Sequence, residues 1–264
     1  MQVVFSDLDG TLLDRSDYGC DEAVPALELL RRRDVPLVFV TSKTRAEVEF
    51  WRTRLDNPDP FIVENGGAAC VPRGYFPFQI PGARAVEGYE VVELGDSYTH
   101  LVETLRQASL ATGVPVRGFH QMTAEEVAEE CGLSLEQATL ALLRGYDEPF
   151  TILDHDGAPR LLAAVETLGR RWHAGGRYHH ITGDNDKARA VDLLTGLFEQ
   201  AFGKTHTIGL GDSGNDVSFL RRVGRAFVIA SEQAAALSSA LPHAVVTARP
   251  GPAGWRDSIF AALG

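Results

Sequence analysis

The chain has no apolar segment close to the ~18 residues that a membrane-spanning helix needs. We also expect no basic leader ahead of an apolar signal core, since the sequence begins directly with a strand-like segment. We therefore expect a cytoplasmic protein without a membrane partner. The three cysteines, Cys20, Cys70 and Cys131, are widely spaced and form no C-x-x-C pair. They indicate buried thiols in a reducing compartment rather than disulfides or a zinc site.

Lysine is also scarce, since Lys43, Lys187 and Lys204 are the only lysines among 25 basic residues. Arginine therefore supplies nearly all of the positive surface charge, and codon usage alone could leave so few lysines. Two of the three lie near motifs described below, where a compact ammonium suits a point-charge role better than a forked guanidinium. The net charge of −11 disfavours nucleic acid and anionic membranes as partners. The sequence gives no indication of the oligomeric state.

Strand-like runs and amphipathic helical segments alternate at both ends of the chain, over residues 1–63 and 187–246. With 264 residues, 44% of them hydrophobic, the chain can bury a substantial core. The alternation predicts an α/β fold with a doubly wound, Rossmann-like parallel sheet. In such a sheet a ligand binds outside the carboxyl ends of the strands.

The middle of the chain has a different texture, which begins at a group of prolines and ends at the glycine pair 175–176. It contains several helical stretches, and two of them follow the capping boxes that start at Thr123 and Ser134. Extended segments are predicted at 114–119, 150–153 and 178–182. We predict a core formed by residues 1–85 and 177–264, with an inserted α+β cap at 86–176 that determines substrate specificity.

The most informative motif is Asp-Leu-Asp-Gly-Thr at residues 7–11, directly after the apolar run at 3–5. Alternation along an extended segment sends Asp7 and Asp9 to the same side at the end of the first strand. Two like charges placed together are costly unless something uses them. A magnesium ion shared with a phosphate would use both, with Asp7 attacking phosphorus and Asp9 handling a proton. A polar strand-to-turn junction is the simpler interpretation of this motif alone.

Three further segments supply what such a reaction needs, in a workable order along the chain. Thr41 and Ser42 end the second apolar run and offer hydroxyls beside main-chain N–H groups. Lys187 lies in the first turn of a predicted helix. The segment 207–210 reads as a strand and continues into a glycine-relieved acidic loop that contains Asp212, Asn215 and Asp216.

This set of four segments resembles the haloacid dehalogenase superfamily of aspartyl-phosphate phosphohydrolases. The resemblance implies that Asp7 is the nucleophile and Asp9 the acid/base, and that Asp7, Asp9 and Asp212 hold Mg²⁺. It also implies phosphate binding by Thr41, Ser42, Lys187 and Asn215, and a supporting role for Asp216 beside Lys187 or a metal-bound water. Even with Mg²⁺ and Lys187 present, the four carboxylates would leave about one negative charge. We therefore expect the metal to be required for substrate binding as well as for chemistry.

Three segments bear on substrate choice: the turn with Asn65 and Gly66, the string from Arg144 to Phe150, and the string from Gly176 to Ile181. The turn could be purely structural, and charged residues are mostly solvated surface. Together with the motif at 185–187, however, the two strings resemble the mannosyl-3-phosphoglycerate phosphatase family, which releases mannosylglycerate, a compatible solute. The resemblance implies a phosphorylated sugar-glycerate substrate. The residues predicted to contact that substrate are Asn65, Gly66, Arg144, Glu148, Arg177 and His179.

Several alternatives remain at this point. Another sugar-phosphate phosphatase, of the sucrose- or trehalose-phosphate type, or a phosphohexomutase of the same superfamily would share the opening motif and a similar cap. A phosphorylatable receiver module also combines Asp, Thr and Lys around magnesium, although receivers are small and lack a cap. A sugar-binding protein without turnover is the last alternative.

Overall fold

The computed structural model describes residues 1–175 and 178–264, which form two β-sheets and ten α-helices within those ranges. The strands are β1 (Gln2–Ser6), β2 (Leu37–Val40), β3 (Phe61–Val63), β4 (Ala68–Pro72), β5 (Arg84–Val86), β6 (Tyr89–Glu93), β7 (Val116–Gly118), β8 (Asp147–Ile152), β9 (Arg171–Gly175), β10 (Tyr178–Thr182), β11 (His206–Gly211), β12 (Arg225–Val228) and β13 (Val245–Val246). The helices are α1 (Val24–Arg32), α2 (Arg45–Arg54), α3 (Tyr98–Thr112), α4 (Ala124–Cys131), α5 (Leu135–Ala141), α6 (Ala158–Thr167), α7 (Lys187–Phe202), α8 (Val217–Leu220), α9 (Ala234–Ala240) and α10 (Gly251–Leu263).

The larger sheet has nine strands in the order β13-β12-β11-β1-β2-β3-β4-β6-β5. The six strands from β13 to β3 are parallel, and β4, β6 and β5 continue the sheet in antiparallel pairing. The chain leaves β1 toward one edge and returns through β11 toward the other. This topology confirms the predicted α/β fold with a doubly wound parallel core.

Helices cover both faces of this sheet because successive strand residues point to opposite sides. On one face Val4 packs in a cluster with Leu30 of α1, Trp51 of α2 and Trp255 of α10. On the other face Phe5 packs in a cluster with side chains from α7, α8 and α9. The strands of the parallel core are buried on both sides, which is why β1 and β2 read as continuous apolar runs.

The smaller sheet is antiparallel throughout, in the order β7-β8-β10-β9. Helices α3 and α6 pack on one of its faces through a buried cluster that includes Leu105, Phe150, Leu161 and Ile181. A second cluster joins the helical pair α4 and α5 to Phe119 and Tyr178. The opposite face of the small sheet points toward the edge of the large sheet where the carboxyl ends of its parallel strands lie.

Sheet membership moves the division between core and cap away from the predicted positions. Strands β5 and β6 pair with β4 in the large sheet, so that sheet extends to Glu93. Strand β10 pairs with β8 and β9 in the small sheet, which therefore continues to Thr182. We propose that the cap comprises residues 95–183 rather than 86–176. The prolines at 72–81 lie before the last strands of the core and do not mark its end.

The sequence did not predict helix α10 or strands β4, β5, β6 and β9. Helix α10 begins in a segment rich in glycine and proline, yet its Trp255 and Ile259 are fully buried against the large sheet. Strand β9 begins at Arg171, shortly after α6 ends at Thr167, in a segment where no extended run was predicted. Tertiary packing outweighs local propensity in both places. Within the described ranges, none of the helices combines the length and apolar character that a bilayer crossing requires.

Candidate active site

Pairing of β1 with β11 brings the two acidic segments together. The main-chain N–H of Asp7 donates to the carbonyl of Leu210 at 2.9 Å, so the ends of the two strands lie side by side. Carboxylate oxygens of Asp7, Asp212 and Asp216 all lie within 4.8 Å of one another, and the three residues are buried. The carboxyl ends of parallel strands therefore assemble the acidic cluster that the motifs predicted.

Lys187 lies inside this cluster with only 1% of its surface exposed. Its Nζ donates to Asp216 Oδ1 at 2.7 Å and to Asp7 Oδ1 at 3.0 Å. Burial lowers the pKa of Lys187, but the carboxylates of Asp216 and Asp7 together raise it above its ordinary value. The second oxygen of Asp216 accepts the main-chain N–H groups of Asp212 and Ser213 at 3.0 and 3.1 Å. Asp216 therefore fixes both the ammonium and the acidic loop.

The cluster has more negative charge than Lys187 can balance. Burial raises the pKa of Asp7 well above its ordinary value, Lys187 lowers it, and Asp216 and Asp212 raise it further. A divalent cation would relieve this repulsion, and carboxylate oxygens are the ligands that Mg²⁺ prefers. The carboxylates of Asp7 and Asp212, with Asp216 beside them, thus fit a hard divalent cation.

Arg15 provides a positive charge at the same carboxylates. Its Nη2 donates to Asp212 Oδ2 at 2.5 Å, while 66% of the Arg15 side chain is exposed. Gly10 lies against the same oxygen, where an added Cβ would stand 2.5 Å from Asp212 Oδ2. The loop after β1 therefore lies directly on a proposed metal ligand, and Arg15 competes with any cation for it.

We expect Arg15→Gln to bind Mg²⁺ about 2- to 5-fold more tightly than the unaltered chain, because the ion pair between the largely exposed Arg15 and the buried Asp212 must be broken before Asp212 can bind the metal. Isothermal titration of the metal-free protein with MgCl₂ measures this directly, without any substrate. The matched control is Arg222→Gln, which removes an exposed arginine paired with Asp192 on the surface. Equal affinities in all three proteins would contradict competition at Asp212.

Asp9 is less buried than Asp7 and has its own cation. Nζ of Lys43 lies 3.0 Å from Asp9 Oδ1 and 3.7 Å from Glu47, and 4.9 Å from the centre of the Tyr18 ring. Lys43 is itself buried. The prediction from sequence did not include Lys43 among the site residues, although its rarity and its place directly after Ser42 were available signals.

The remaining phosphate-binding candidates lie around a cavity of about 680 Å³ above the acidic cluster. Ser42, Lys187 and Asn215 line this cavity together with Asp7 and Asp9. Thr41 is fully buried at the end of β2, and its hydroxyl accepts the main-chain N–H of Lys43 at 3.2 Å. The structure therefore brings these residues to one edge of the sheet, with Ser42 rather than Thr41 on the cavity surface.

The turn after β3 has an unusual backbone. Glu64, Asn65 and Gly66 have φ values of 47°, 57° and 92°, three consecutive left-handed residues. Asn65 lines the cavity and its Oδ1 accepts from Asn215 Nδ2 at 3.0 Å. Gly66 instead packs against the chain before α7, where an added Cβ would stand 2.3 Å from the carbonyl of Asp186. The prediction of a substrate contact at Gly66 is replaced by a requirement for close backbone packing.

Glu64 joins the core to the cap. Its buried carboxylate accepts the main-chain N–H groups of Gly145 and Tyr146 at 2.9 and 2.8 Å. Asn185 adds to this contact, because its Nδ2 donates to the carbonyls of Glu64 and Tyr146. Burial raises the pKa of Glu64 to about 7, although Arg144 lowers it. The carboxyl group thus holds the segment that enters β8 against the edge of the core.

The raised pKa of Glu64 predicts a pH-dependent stability. Between its ordinary value of 4.5 and about 7 the folded protein binds more protons than the unfolded chain, so stability falls as pH rises through this window. Glu64→Gln lacks this titrating group. We therefore expect the free energy of unfolding of the variant, minus that of the unaltered chain, to increase by about 3 kcal/mol between pH 4.5 and pH 8. Urea unfolding at both pH values measures it. Glu28→Gln, on the exposed surface of α1, is the control, and parallel pH slopes in all proteins would refute the assignment.

Four residues predicted to contact substrate lie in the cap, and the structure describes three of them. Arg144 donates to the carbonyl of Ser42 at 3.0 Å and lies over the ring of Phe119. Glu148 is fully buried and accepts from the hydroxyl of Tyr98 at 2.6 Å. In the structure these two side chains make contacts within the cap and between the cap and the core, and a contact of either with substrate stays a prediction. Arg177 lies outside the described residues.

His179 is the third described cap residue, and the structure places its side chain in a packing contact rather than on the cavity surface. Its ring packs against Phe150 and Trp172, on the face of the small sheet that α3 and α6 cover. Its neighbour His180 points to the opposite face and lines the cavity, as does His173 on β9. The sequence alone indicated that a histidine of this segment lies near the cavity. It did not show whether the odd- or the even-numbered residues of β10 face the cavity.

The fold and this site define the chain as a haloacid dehalogenase-like hydrolase, and a family profile with that description matches residues 4–75. The glucosyl-3-phosphoglycerate/mannosyl-3-phosphoglycerate phosphatase of Methanococcoides burtonii is 39% identical over 264 residues, covering 99% of this chain and 97% of that protein. The protein of the same description from Persephonella marina is 37% identical, with the same coverage. The chain belongs to this family of phosphatases.

A solved structure from Thermoplasma acidophilum shares the fold, with a TM-score of 0.68 and 17% identity, covering 99% of this chain and 97% of the other. Membership in the family confirms the predicted phosphoric monoester hydrolase. The receiver and sugar-binding alternatives therefore no longer apply. The roles of the individual site residues are taken up as proposals below.

Proposed function

We propose that this phosphatase hydrolyses mannosyl-3-phosphoglycerate to mannosylglycerate and phosphate, with Mg²⁺ as its cofactor and the cytoplasm as its compartment. The observation that supports the substrate most strongly is the 39% identity over nearly the whole chain with a phosphatase described as acting on the glucosyl and mannosyl esters. The three cysteines, all free thiols, support a reducing compartment. The phosphate would lie at the acidic edge of the core and the sugar-glycerate group under the cap.

In the first half-reaction, an oxygen of Asp7 attacks phosphorus and the bond to the substrate's alkoxide oxygen breaks. Asp9, at the mouth of the same strand and 35% exposed in its side chain, donates a proton to that leaving oxygen. The product of this step is a phosphate ester on Asp7. Mg²⁺, held by Asp7, Asp212 and the main-chain carbonyl of Asp9, would supply electrostatic stabilisation of the phosphoryl oxygens.

In the second half-reaction, water attacks the phosphorus of the Asp7 ester and Asp9, now ionised, takes its proton. One residue thus serves as acid and then as base. Lys187 holds Asp7 in place through their 3.0 Å contact and balances charge on the phosphoryl group, together with the hydroxyl of Ser42 and the amide of Asn215 at the cavity surface. The cap covers this chemistry and limits access of bulk water.

Glucosyl-3-phosphoglycerate is the second candidate substrate, because the relatives from Methanococcoides burtonii and Persephonella marina are named for the glucosyl as well as the mannosyl ester. The two esters differ in the sugar alone, so the same phosphoryl chemistry applies to each. Selection between them would depend on cap and cavity residues that face the hexose.

The test is phosphate release from a panel of purified esters, with Mg²⁺ and after its removal by EDTA. The panel contains mannosyl- and glucosyl-3-phosphoglycerate, sucrose phosphate, trehalose phosphate, mannose phosphates and 3-phosphoglycerate. We expect the two glycosyl-3-phosphoglycerates to have the highest kcat/KM and EDTA to abolish turnover. Activity confined to the simple sugar phosphates would overturn the substrate, and isomer formation without free phosphate would indicate a mutase instead.

A further inference from the structure

Two histidines form a parallel stack on the cap face that closes the cavity. His173 on β9 and His180 on β10 are directly paired across the antiparallel ladder. Their ring centres lie 4.8 Å apart with an interplanar angle of 8°. Both residues line the same cavity as Asp7 and Lys187, so the stack lies on the surface opposite the phosphoryl chemistry.

A buried carboxylate supports this stack from behind. Asp147 on β8 is fully buried, and its two oxygens lie 2.8 and 3.1 Å from Nδ1 of His180. Burial raises the pKa of Asp147, but His180 and Arg144 lower it below its ordinary value. A buried carboxylate needs hydrogen-bond partners, and an imidazole that donates Nδ1–H to Asp147 is held in one orientation, with its Nε2 edge available to a ligand.

The cap contributes little other charge to the cavity. Of the described cap residues that line it, His173 and His180 alone can become positively charged, beside Ala174 and Thr182. The core side presents Arg15 and Lys187 beside the acidic cluster, and its other lining groups include the hydroxyls and amides of Ser42, Asn65, Asn185 and Gln233. Neutral donors and acceptors of that kind suit sugar hydroxyls. A charge-assisted donor backed by a carboxylate suits an anion.

We propose that His180, stacked on His173, binds the carboxylate of the glycerate leaving group through Nε2–H, and that Asp147 is the positioning residue that holds the imidazole. The proposal rests on the function proposed above and adds the group that distinguishes a glycerate ester from a simple sugar phosphate. No proton is transferred to the substrate at this site. The groups facing His180 are Asp147 from β8 and His173 from β9, and Arg144 and Lys187 act on His173 from further away.

The experiment uses two small probes that differ only at one carbon: 3-phosphoglycerate has a carboxylate where glycerol 3-phosphate has a hydroxymethyl group. Their inhibition constants against p-nitrophenyl phosphate hydrolysis are measured for the full chain with Mg²⁺. We expect 3-phosphoglycerate to bind more tightly than glycerol 3-phosphate. In His180→Gln this preference should fall about 10- to 100-fold, the magnitude of a lost hydrogen bond to a charged group.

The matched control is His179→Gln, one residue away and on the helix-covered face, which should leave both inhibition constants within about 2-fold. Asp147→Asn should reduce the preference as His180→Gln does, because the inhibition constant of 3-phosphoglycerate should rise much more than that of glycerol 3-phosphate.

Equal losses for both probes in His180→Gln would overturn the carboxylate contact and indicate a general packing role. A preference lost in Arg15→Gln but retained in His180→Gln would move the carboxylate to the core side. None of these results depends on hydrolysis of mannosyl-3-phosphoglycerate. A failure of the proposed substrate is therefore detected independently, by the panel of esters.

Discussion

Asp7→Asn is expected to lower phosphate release by at least about 10⁴-fold, the scale seen when a covalent nucleophile is removed. The amide keeps the size of the side chain but has no anionic oxygen to attack phosphorus. Steady-state phosphate release from mannosyl-3-phosphoglycerate measures the loss. Rapid acid quench of the unaltered chain should also show phosphate bound covalently to protein, and Asp7→Asn should show none.

The control for Asp7→Asn is Asp192→Asn, which removes a carboxylate from the exposed face of α7, where it pairs with Arg222. That variant should retain the activity of the unaltered chain. Melting temperatures of both variants separate lost chemistry from lost folding. Substantial turnover in folded Asp7→Asn would exclude the covalent route and leave direct attack by water as the remaining mechanism.

Asp9→Asn is expected to affect substrates according to their leaving groups. Hydrolysis of an alkyl ester should fall by about 10²- to 10⁴-fold, because the alkoxide needs a proton as it departs. Nitrophenolate leaves readily without one, so the first step with p-nitrophenyl phosphate should be affected much less. Since the second step still lacks its base, we expect a burst of nitrophenolate equal to the enzyme concentration, followed by slow turnover.

Lys43 offers a second variant with which to test this prediction, because its ammonium lies 3.0 Å from Asp9. Lys43→Met serves as the comparison: it leaves the carboxyl group of Asp9 in place and should not produce the burst. A uniform loss on alkyl and aryl esters in Asp9→Asn, without a burst, would show that Asp9 supports the structure of the site rather than proton transfer.

The core of the site could be predicted from sequence because each of its parts is local. Asp7, Thr41 and Asp212 each end an apolar run, and parallel strands bring such ends to one edge. Lys187 opens a helix whose capping residue Asp186 precedes it directly. The position of a residue at the end of a strand or the start of a helix can be predicted without knowledge of distant packing. These residues therefore lie together in the structure as the sequence pattern predicted.

The cap residues could not be predicted in the same way. On a strand the difference between a ligand contact and a packing contact is a single position, and His179 and His180 are both histidines. Their assignment depends on which face α3 and α6 cover. Glu148 and Arg144 are polar residues, and their chemistry alone suggested contact with a ligand. In the structure, partners far away in the sequence bury them, and their contacts are internal.

Long-range contacts also explain the residues that the sequence did not indicate at all. Arg15 follows the opening motif in a loop that has no regular pattern, yet it contacts Asp212 from 197 residues away. Strands β4, β5 and β6 surround a proline-rich segment, which local propensity assigns to a linker. Of these, β4 pairs with β3, β6 pairs with β4 and β5 pairs with β6, and such pairing is a tertiary event that local sequence does not encode.

Formation of the acidic cluster depends on contacts between the two ends of the gene product. The hydroxyl of Thr11 reaches Asp212 across 201 residues, and β1 pairs with β11 along its full length. During synthesis the amino-terminal strand therefore waits for its central neighbour until most of the polypeptide has left the ribosome. Closing so large a loop is slow. Catalytic competence should consequently arise only after β11 and the loop with Asp212 have been synthesised and have joined β1.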